Sequence, residues 1–106
     1  MVKVKKLTNK KIIKKLLSTG SVYKTRKYKI YFSKNLDDFS YAISISKKVG
    51  KAYCRNKEKR WVRSIIYQNR SLFEKGGNAF IIIKESGGIF IDASSEIVSF
   101  INQNYK

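Results

Sequence analysis

The sequence contains no histidine, no proline, one cysteine and only seven acidic residues among its 106 positions. The single cysteine, Cys54, cannot form an internal disulfide, and this favours a reducing compartment. The absence of histidine, together with the single thiol, excludes tetrahedral zinc sites and histidine-assisted catalytic triads. The carboxylates also show no paired arrangement for general acid–base catalysis. We therefore predict no catalytic residue and no metal-binding residue on this chain.

Long apolar runs are also missing from the sequence. The longest clear run, residues 79–83, is far shorter than the roughly 20 apolar residues that span a bilayer. The basic N-terminal segment lacks the apolar block of a signal peptide. We expect a cytoplasmic protein that does not span a membrane. Its length and its 42% hydrophobic residues suit one compact domain over residues 1–106.

Positive charge is abundant and unevenly distributed. The chain has 24 lysines and arginines and a formal charge of +17. Residues 1–34 contain twelve basic and no acidic side chains, and residues 47–70 contain nine basic side chains and one acidic residue, Glu58. The last third is close to neutral. Because self-repulsion of this size disfavours a folded domain on its own, we expect a polyanionic partner: nucleic acid, an anionic membrane surface or an acidic protein.

Hydrophobic periodicity predicts an α+β domain with the order α-β-β-β-α-β-α. The predicted elements are helix 8–18, a weak strand near Val22, strand 27–33, strand 41–46, helix 55–70, strand 79–84 and a final helix through 97–101. The turn at 34–38 is expected to join the two middle strands as a hairpin, because Asn and Asp favour turns. Strand 79–84 is apolar on both faces, which is typical of a central position in a sheet.

Helix ends carry their own signals. Thr8 or Asn9 can cap the first helix, and Gly20 is expected to end it in the left-handed conformation. The last helix has three candidate caps, Asp92, Ser94 and Ser95.

Basic side chains concentrate before and along the second helix. Three lysines precede it, and three further basic residues recur at the i, i+4, i+8 spacing of one helix ridge. These residues are Lys47, Lys48 and Lys51, then Arg55, Lys59 and Arg63. Arginine grips phosphate with a planar fork of donors, lysine supplies a point charge, and the positive end of a helix attracts anions. The pattern is typical of a phosphate-binding surface.

Residues 46–63 read SKKVGKAYCRNKEKRWVR, and this string resembles the Arg-Asn-Arg signature of the bacterial ribonuclease P protein component family. The predicted elements also follow that family's order over nearly the whole chain. The resemblance implies a four-stranded mixed sheet with a left-handed βαβ crossover, as in the second domain of ribosomal protein S5. It also implies a subunit of a ribonucleoprotein endonuclease that removes 5′ leaders from precursor tRNA.

On this resemblance the partners are the catalytic RNA subunit of ribonuclease P and precursor tRNA, and neither a membrane nor a protein partner is implied. Magnesium would act through the RNA, with no cofactor held by the protein. The implied contacts with the catalytic RNA are Lys47, Lys48, Lys51, Arg55, Asn56, Lys57, Lys59, Arg60 and Arg63. The implied cleft for the single-stranded leader is formed by Ile13, Leu17, Tyr31, Ser44 and Ser46.

The sequence departs from the family pattern at two places. Lys57 stands where arginine is common, which keeps the charge and loses the planar fork. Ile13 and Leu17 stand where aromatic residues are common, which removes platforms for stacking bases.

Three alternative functions stay open. The first is a small structural RNA-binding protein of ribosomal type, which shares the size and charge. The second is a basic DNA-binding module, although no helix-turn-helix or dimerising heptad is visible. The third is a membrane-surface role of the first helix, which leaves the basic residues of 55–63 unexplained.

Overall fold

The computed structural model describes residues 4–34, 39–73 and 76–104. Within these ranges the chain forms five strands and three α-helices in the order β-α-β-β-β-α-β-α. The elements are β1 (Val4–Lys6), α1 (Lys10–Thr19), β2 (Ser21–Lys24), β3 (Tyr28–Lys34), β4 (Phe39–Ile45), α2 (Ala52–Gln68), β5 (Gly77–Ile83) and α3 (Phe90–Asn104). The predicted order is confirmed, including the weak strand near Val22, and the further strand β1 precedes it.

All five strands form one mixed sheet in the order β1-β4-β5-β3-β2. β5 occupies the centre, parallel to β4 and antiparallel to β3, as its apolar side chains on both faces predicted. Because β4 and β5 run parallel, the chain must cross over between them, and α2 forms that crossover. β1 joins at one edge, parallel to β4, so the sheet has one strand more than the four expected from the sequence.

The predicted hairpin between β3 and β4 is wrong. The two strands are not neighbours, because β5 lies between them and pairs with each along seven residues. A turn-forming sequence makes the chain reverse direction, but burial of side chains selects the partner of each strand. The most apolar strand takes the central place, and β3 and β4 flank it. The predicted turn residues 35–38 lie outside the described residues.

The main core lies between one face of the sheet and helices α2 and α3. Ile30 and Ile81 from the sheet meet Ile65 of α2 and Phe100 of α3, and all four side chains are buried. Helix α1 contacts β3 and β5 from the opposite face, where Leu16 is its buried residue. None of the helices in the described ranges is long and apolar enough to span a membrane.

The helix ends differ in part from the predicted ones. Asn9 caps α1, since its side-chain oxygen accepts from the backbone N–H of Lys11 at 2.9 Å. Gly20 ends α1 with a φ of −70°, so the predicted left-handed stop is wrong. Glycine is needed there for space, because a Cβ would lie 2.6 Å from the carbonyl oxygen of Leu16. Helix α3 begins before all three of its predicted caps, and Asp92 instead lies in its first turn, where a carboxylate favours the helix dipole.

A buried ion pair joins α2 to the rest of the molecule. Lys27 lies in the turn between β2 and β3, and Glu58 lies on the inward face of α2; they are 6% and 0% exposed. The Nζ atom of Lys27 is 2.5 Å from the Oε1 atom of Glu58 and donates to the Gly87 carbonyl at 3.0 Å. The Gly87 N–H donates to the other carboxylate oxygen at 3.2 Å. The loop that leads from β5 to α3 therefore hydrogen-bonds to both members of the ion pair.

The surroundings of this pair extend to α3 and to an aromatic ring. The backbone N–H of Lys27 donates to the Glu96 carboxylate at 3.2 Å, and the Lys27 Nζ atom lies 4.9 Å from the centroid of the Trp61 ring. Gly87 has a φ of 103°, a conformation open mainly to glycine, so the loop that closes the pair depends on this residue. Buried charges persist only when they are paired and hydrogen-bonded. The network consequently fixes α2 against the β2–β3 turn and α3.

Replacing Glu58 with leucine should destabilise the protein by roughly 3–5 kcal/mol, because the Lys27 ammonium is then buried without its partner. A Lys27→Met/Glu58→Leu double variant should recover most of that loss, since no charge of the pair remains in the core. Urea unfolding followed by the fluorescence of Trp61, the single tryptophan, measures both free energies of unfolding.

The matched control is the surface pair of Arg26 and Glu85, which lie 3.4 Å apart with side chains 90% and 50% exposed. Glu85→Gln should change the free energy of unfolding by about 0–1 kcal/mol. If Glu58→Leu cost no more than this control, the buried pair would not be what holds α2.

Candidate nucleic-acid interface

Helix α2 has one buried face and one exposed face. Its buried residues are Glu58, Val62, Ile65 and Ile66. At about 100° per residue, the opposite side is the line of residues at i, i+3, i+7, i+10 and i+14, named here the outer face of α2. It consists of Tyr53, Asn56, Arg60, Arg63 and Tyr67, all exposed to solvent. Tyrosine rings therefore stand at both ends of a polar and cationic line about 21 Å long.

The polar groups of the outer face are available to a ligand. Across the described parts of the chain, the side chains of Asn56 and Arg60 have no hydrogen bond or ion pair. The Nε atom of Arg63 donates to the Lys59 carbonyl of its own helix at a long 3.4 Å. The one acidic residue of α2, Glu58, is buried and paired, so it does not neutralise this surface.

The exposed side of α2 is rotated about the helix axis relative to the ridge that the sequence predicted. Arg55 and Lys59, two of its three predicted members, lie at the edge of the buried face and are half-buried. The Nε atom of Arg55 is enclosed by the protein. Lys57 is exposed, with its Nζ atom 5.1 Å from the centroid of the Trp61 ring. The exposed cations of the helix are therefore centred on the outer face of α2.

The segment before α2 places three more cations beside the helix N-terminus. Lys47 and Lys48 lie in a short 3₁₀ turn, Lys51 precedes the helix, and all three side chains are exposed. The hydroxyl of Ser86 donates to the Val49 carbonyl at 3.0 Å and fastens this segment to the loop after β5. The first turn of α2 contains no acidic residue, so the positive end of the helix dipole adds to the lysine charges.

A concavity of about 700 Å³ opens between the outer face of α2 and strand β4. It is lined by Tyr41, Asn56, Arg60, Arg63, Ser64 and Tyr67, and is named here the α2–β4 concavity. Burial raises the pKa of Tyr41 above its usual value, and the nearby Arg63 guanidinium opposes part of that rise. The Tyr41 hydroxyl is therefore a neutral hydrogen-bonding group at neutral pH.

The ring of Tyr67 is held by a cation at the end of this concavity. The guanidinium carbon of Arg70 lies 4.1 Å from the Tyr67 ring centroid, and its Nη1 atom donates to the Tyr67 carbonyl at 2.8 Å. Such cation–π contacts restrain both side chains. Tyr67 nevertheless stays 62% exposed, so much of its surface remains accessible.

The sheet face opposite the core forms a second surface. The strand registers place Val22, Tyr31, Phe80 and Ala42 side by side across β2, β3, β5 and β4. Directly opposed residues on neighbouring strands project to the same side, so Tyr31 and Phe80 form an aromatic strip, and both are partly exposed. The Lys29 Nζ atom lies 5.1 Å from the centroid of the Tyr31 ring. We name this surface the open sheet face.

Helix α1 covers one end of the open sheet face and leaves a cavity of about 400 Å³ beneath it. The cavity is lined by Ile12, Lys15, Leu16, Thr19, Gly20, Ser33 and Asn78. Ile13 and Leu17, which were predicted to line the leader cleft, lie on the other flank of the helix and do not line this cavity. Ile13 is half-buried and Leu17 is 45% exposed.

The two serines predicted for the leader cleft lie in different places. Ser44 follows Ala42 by two residues and pairs with Ile82 in the register, so it lies on the same side of the sheet as Tyr31. Ser46 lies beyond the end of β4, where its hydroxyl accepts from the Lys48 N–H at 3.2 Å. The structure thus brings Tyr31 and Ser44 to one face and places Ser46 in the segment before α2.

Three aromatic residues of these surfaces were not predicted from the sequence. Phe80 belongs to an apolar run that suggests a strand covered on both sides, whereas the structure leaves its ring partly exposed. Tyr53 and Tyr67 are spaced 14 residues apart, which is close to four helical turns. That spacing, with Arg60 midway between them, is the sequence signal that identifies the outer face of α2.

Metal-binding geometry is not found in residues 4–34, 39–73 and 76–104. No three acidic or cysteine side chains within these ranges lie close enough together to hold a metal ion. Cys54 is free and half-buried at the start of α2.

The fold and its two surfaces define an α+β protein whose crossover helix presents a cationic face suited to a polyanion. The family model described as Ribonuclease P matches residues 1–98 of the sequence. The chain belongs to the ribonuclease P protein family, and the resemblance drawn from residues 46–63 is confirmed.

Individual relatives agree with this membership. The chain is 36% identical over 84 residues to the ribonuclease P protein component of Mesoplasma florum, covering 73% of this chain and 76% of that protein. It is 35% identical over 68 residues to the ribonuclease P protein component of Thermotoga maritima, covering 63% of this chain and 58% of that protein.

Solved structures share the fold. The RNase P protein from Thermotoga maritima matches with a TM-score of 0.78 at 23% identity, covering 92% of this chain and 96% of that chain. The RNase P protein from Staphylococcus aureus matches with a TM-score of 0.79 at 21% identity, covering 95% of this chain and 92% of that chain. The predicted α+β class is confirmed by both.

Proposed function

We propose that this chain is the protein subunit of ribonuclease P, and that it binds the catalytic RNA and the 5′ leader of precursor tRNA. The observation that carries the proposal is the outer face of α2, which exposes Arg60 and Arg63 with no ion-pair partner among the described residues, whereas the one acidic residue of this helix, Glu58, is buried. On this proposal the chain works in the cytoplasm and assists endonucleolytic removal of the leader, which forms the mature 5′ end of tRNA.

The catalytic RNA binds along the outer face of α2 and the segment before it. Arg60 and Arg63 grip phosphates through their planar forks. Lys47, Lys48 and Lys51 add point charges beside the helix N-terminus, where the dipole favours an anion. Because a folded helix already holds the arginines at a fixed spacing, the protein loses less conformational entropy when the RNA binds.

The leader binds on the open sheet face. Tyr31 and Phe80 lie side by side and supply platforms for unpaired bases. Lys24 and Lys29 are paired in the register beside them and attract the leader phosphates. The flank of α1 contributes apolar contact rather than stacking, so the aromatic strip of the sheet replaces the helix aromatics that this chain lacks.

Hydrolysis takes place on the RNA partner with its magnesium ions. The chain has no histidine, and its described residues contain no cluster of three acidic side chains for acid–base work. Its role is to bring two polyanions together, since each lysine or arginine placed on a phosphate releases a condensed counterion. The protein thereby replaces part of the magnesium that the RNAs need when they meet alone.

Adding the protein to ribonuclease P RNA should lower the magnesium concentration needed to cleave precursor tRNA, because protein cations replace counterions. Cleavage rates in a magnesium titration, with and without the protein, measure the shift. If a protein shown by circular dichroism to be folded gave no stimulation at low magnesium, the proposed function would be wrong. No stimulation is also the result expected if the chain were instead a structural RNA-binding protein of ribosomal type.

Arg60→Ala should weaken binding of the catalytic RNA and lower the slope of log Kd against log salt by about 1, because one phosphate contact is lost. The fold should be unaffected, since the side chain is exposed. The control is Arg26→Ala, an exposed arginine in the turn between β2 and β3. If the two variants had equal salt slopes, the outer face of α2 would not be part of the RNA contact.

Tyr31→Ala and Phe80→Ala should each weaken binding of precursor tRNA to the assembled ribonucleoprotein, with about 1–3 kcal/mol lost per unstacked base. Binding of mature tRNA, which has no leader, should stay unchanged. The control is Ile91→Ala, an exposed apolar residue of α3 outside both surfaces. Equal losses on precursor and mature tRNA would show that the open sheet face does not hold the leader.

A further inference from the structure

We propose that the α2–β4 concavity binds one unpaired nucleotide of the RNA partner, with its base on Tyr67 and its phosphate between Arg60 and Arg63. The inference rests on the proposed function and adds a specific nucleotide site to the outer face of α2. It concerns a position, Tyr67, that lies outside the Arg-Asn-Arg signature of residues 46–63.

The concavity has the size and the lining that a nucleotide requires. Its volume of about 700 Å³ falls within the roughly 300–1,000 Å³ of small-molecule sites. An aromatic ring recognises the face of a base, a guanidinium recognises a phosphate, and an amide can bind a base edge. Tyr67, Arg60 and Asn56 supply one group of each kind within a single lining.

The charged side chains of this lining attract an anion and repel a cation. Both charged residues among the lining residues, Arg60 and Arg63, are cationic. Within the described parts of the chain Arg60 has no partner, and Arg63 makes one long hydrogen bond inside its own helix. Tyr41 lines the same concavity, and its hydroxyl carries no charge at neutral pH. A phosphate can therefore bind here without displacing an internal ion pair.

Tyr67 is prepared to stack on a base. Arg70 lies over its ring at 4.1 Å, which restrains the ring and lowers the entropy lost on binding. The residue still exposes 62% of its surface. Ile91 of α3 is similarly exposed, at 72%, and does not line the concavity, so Ile91→Ala can serve as the control for Tyr67→Ala.

The occupant is an unpaired nucleotide rather than a duplex. Bases inside an A-form duplex are stacked on both faces, whereas loop and bulge nucleotides can be splayed out onto an aromatic side chain. A duplex could touch the arginines through its phosphates but could not place a base on Tyr67. The site therefore selects single-stranded RNA at one position of a longer contact.

The test compares binding of a short oligoadenylate with binding of the same strand carrying abasic riboses. A Tyr31→Ala/Phe80→Ala background removes stacking on the open sheet face, and the wild-type background serves if that double variant does not fold. Tyr67→Ala should lower the preference for the base-containing strand by about 5- to 150-fold, the loss expected for one stacked base. Tyr67→Phe should retain the preference, since it keeps the ring.

Ile91→Ala should leave the preference unchanged and is the matched control. An unchanged preference in Tyr67→Ala, or equal losses in Tyr67→Ala and Ile91→Ala, would overturn the nucleotide site. Thermal unfolding followed by Trp61 fluorescence confirms that each variant is folded. These results are independent of the magnesium titration, so the site can fail while the proposed function stands.

Discussion

The ion pair between Lys27 and Glu58 determines how the molecule presents its charge. Glu58 is the one acidic residue of α2, and its burial takes that negative charge away from the surface. Because residues two positions apart on a helix differ by about 200°, an inward Glu58 directs Asn56 and Arg60 to solvent. Three buried apolar residues of α2 lie on the same side as Glu58 and favour the same rotation. The core carboxylate and these apolar residues together orient the cations outside the core.

Most elements of the fold could be predicted, because they depend on local patterns. Hydrophobic periodicity identified the helices and the main strands, and the apolar run of β5 predicted its central place. The pairing of strands could not be predicted in the same way, since the turn after β3 specifies a reversal and not a partner. β1 (Val4–Lys6) offers too short a pattern to be recognised. Gly20 shows a further limit, because its role comes from the nearness of the Leu16 carbonyl rather than from its own flexibility.

The residue types of the candidate site could be predicted, but the side of α2 that is exposed could not. The basic residues of α2 stand out by spacing, but Arg55 and Lys59 are half-buried because the helix is rotated to bury Glu58. An acidic residue within a basic segment suggests neutralisation on the surface, and nothing local reveals that its partner lies 31 positions earlier in the chain. The exposure of Phe80 likewise depends on α1, a helix of ten residues that covers only one end of the sheet.

The central position of β5 has a consequence for the order in which the protein can acquire its shape. β5 is the last strand in the chain, yet it alone connects the β1–β4 pair with the β2–β3 pair. During synthesis the N-terminal part emerges first, so nearly all of the positive charge leaves the ribosome before the strand that unites the sheet. Until residues 77–83 arrive, the sheet cannot be completed, although 22 of the 24 lysines and arginines are already present. The nearly neutral last third therefore completes the framework that holds these cations at fixed positions.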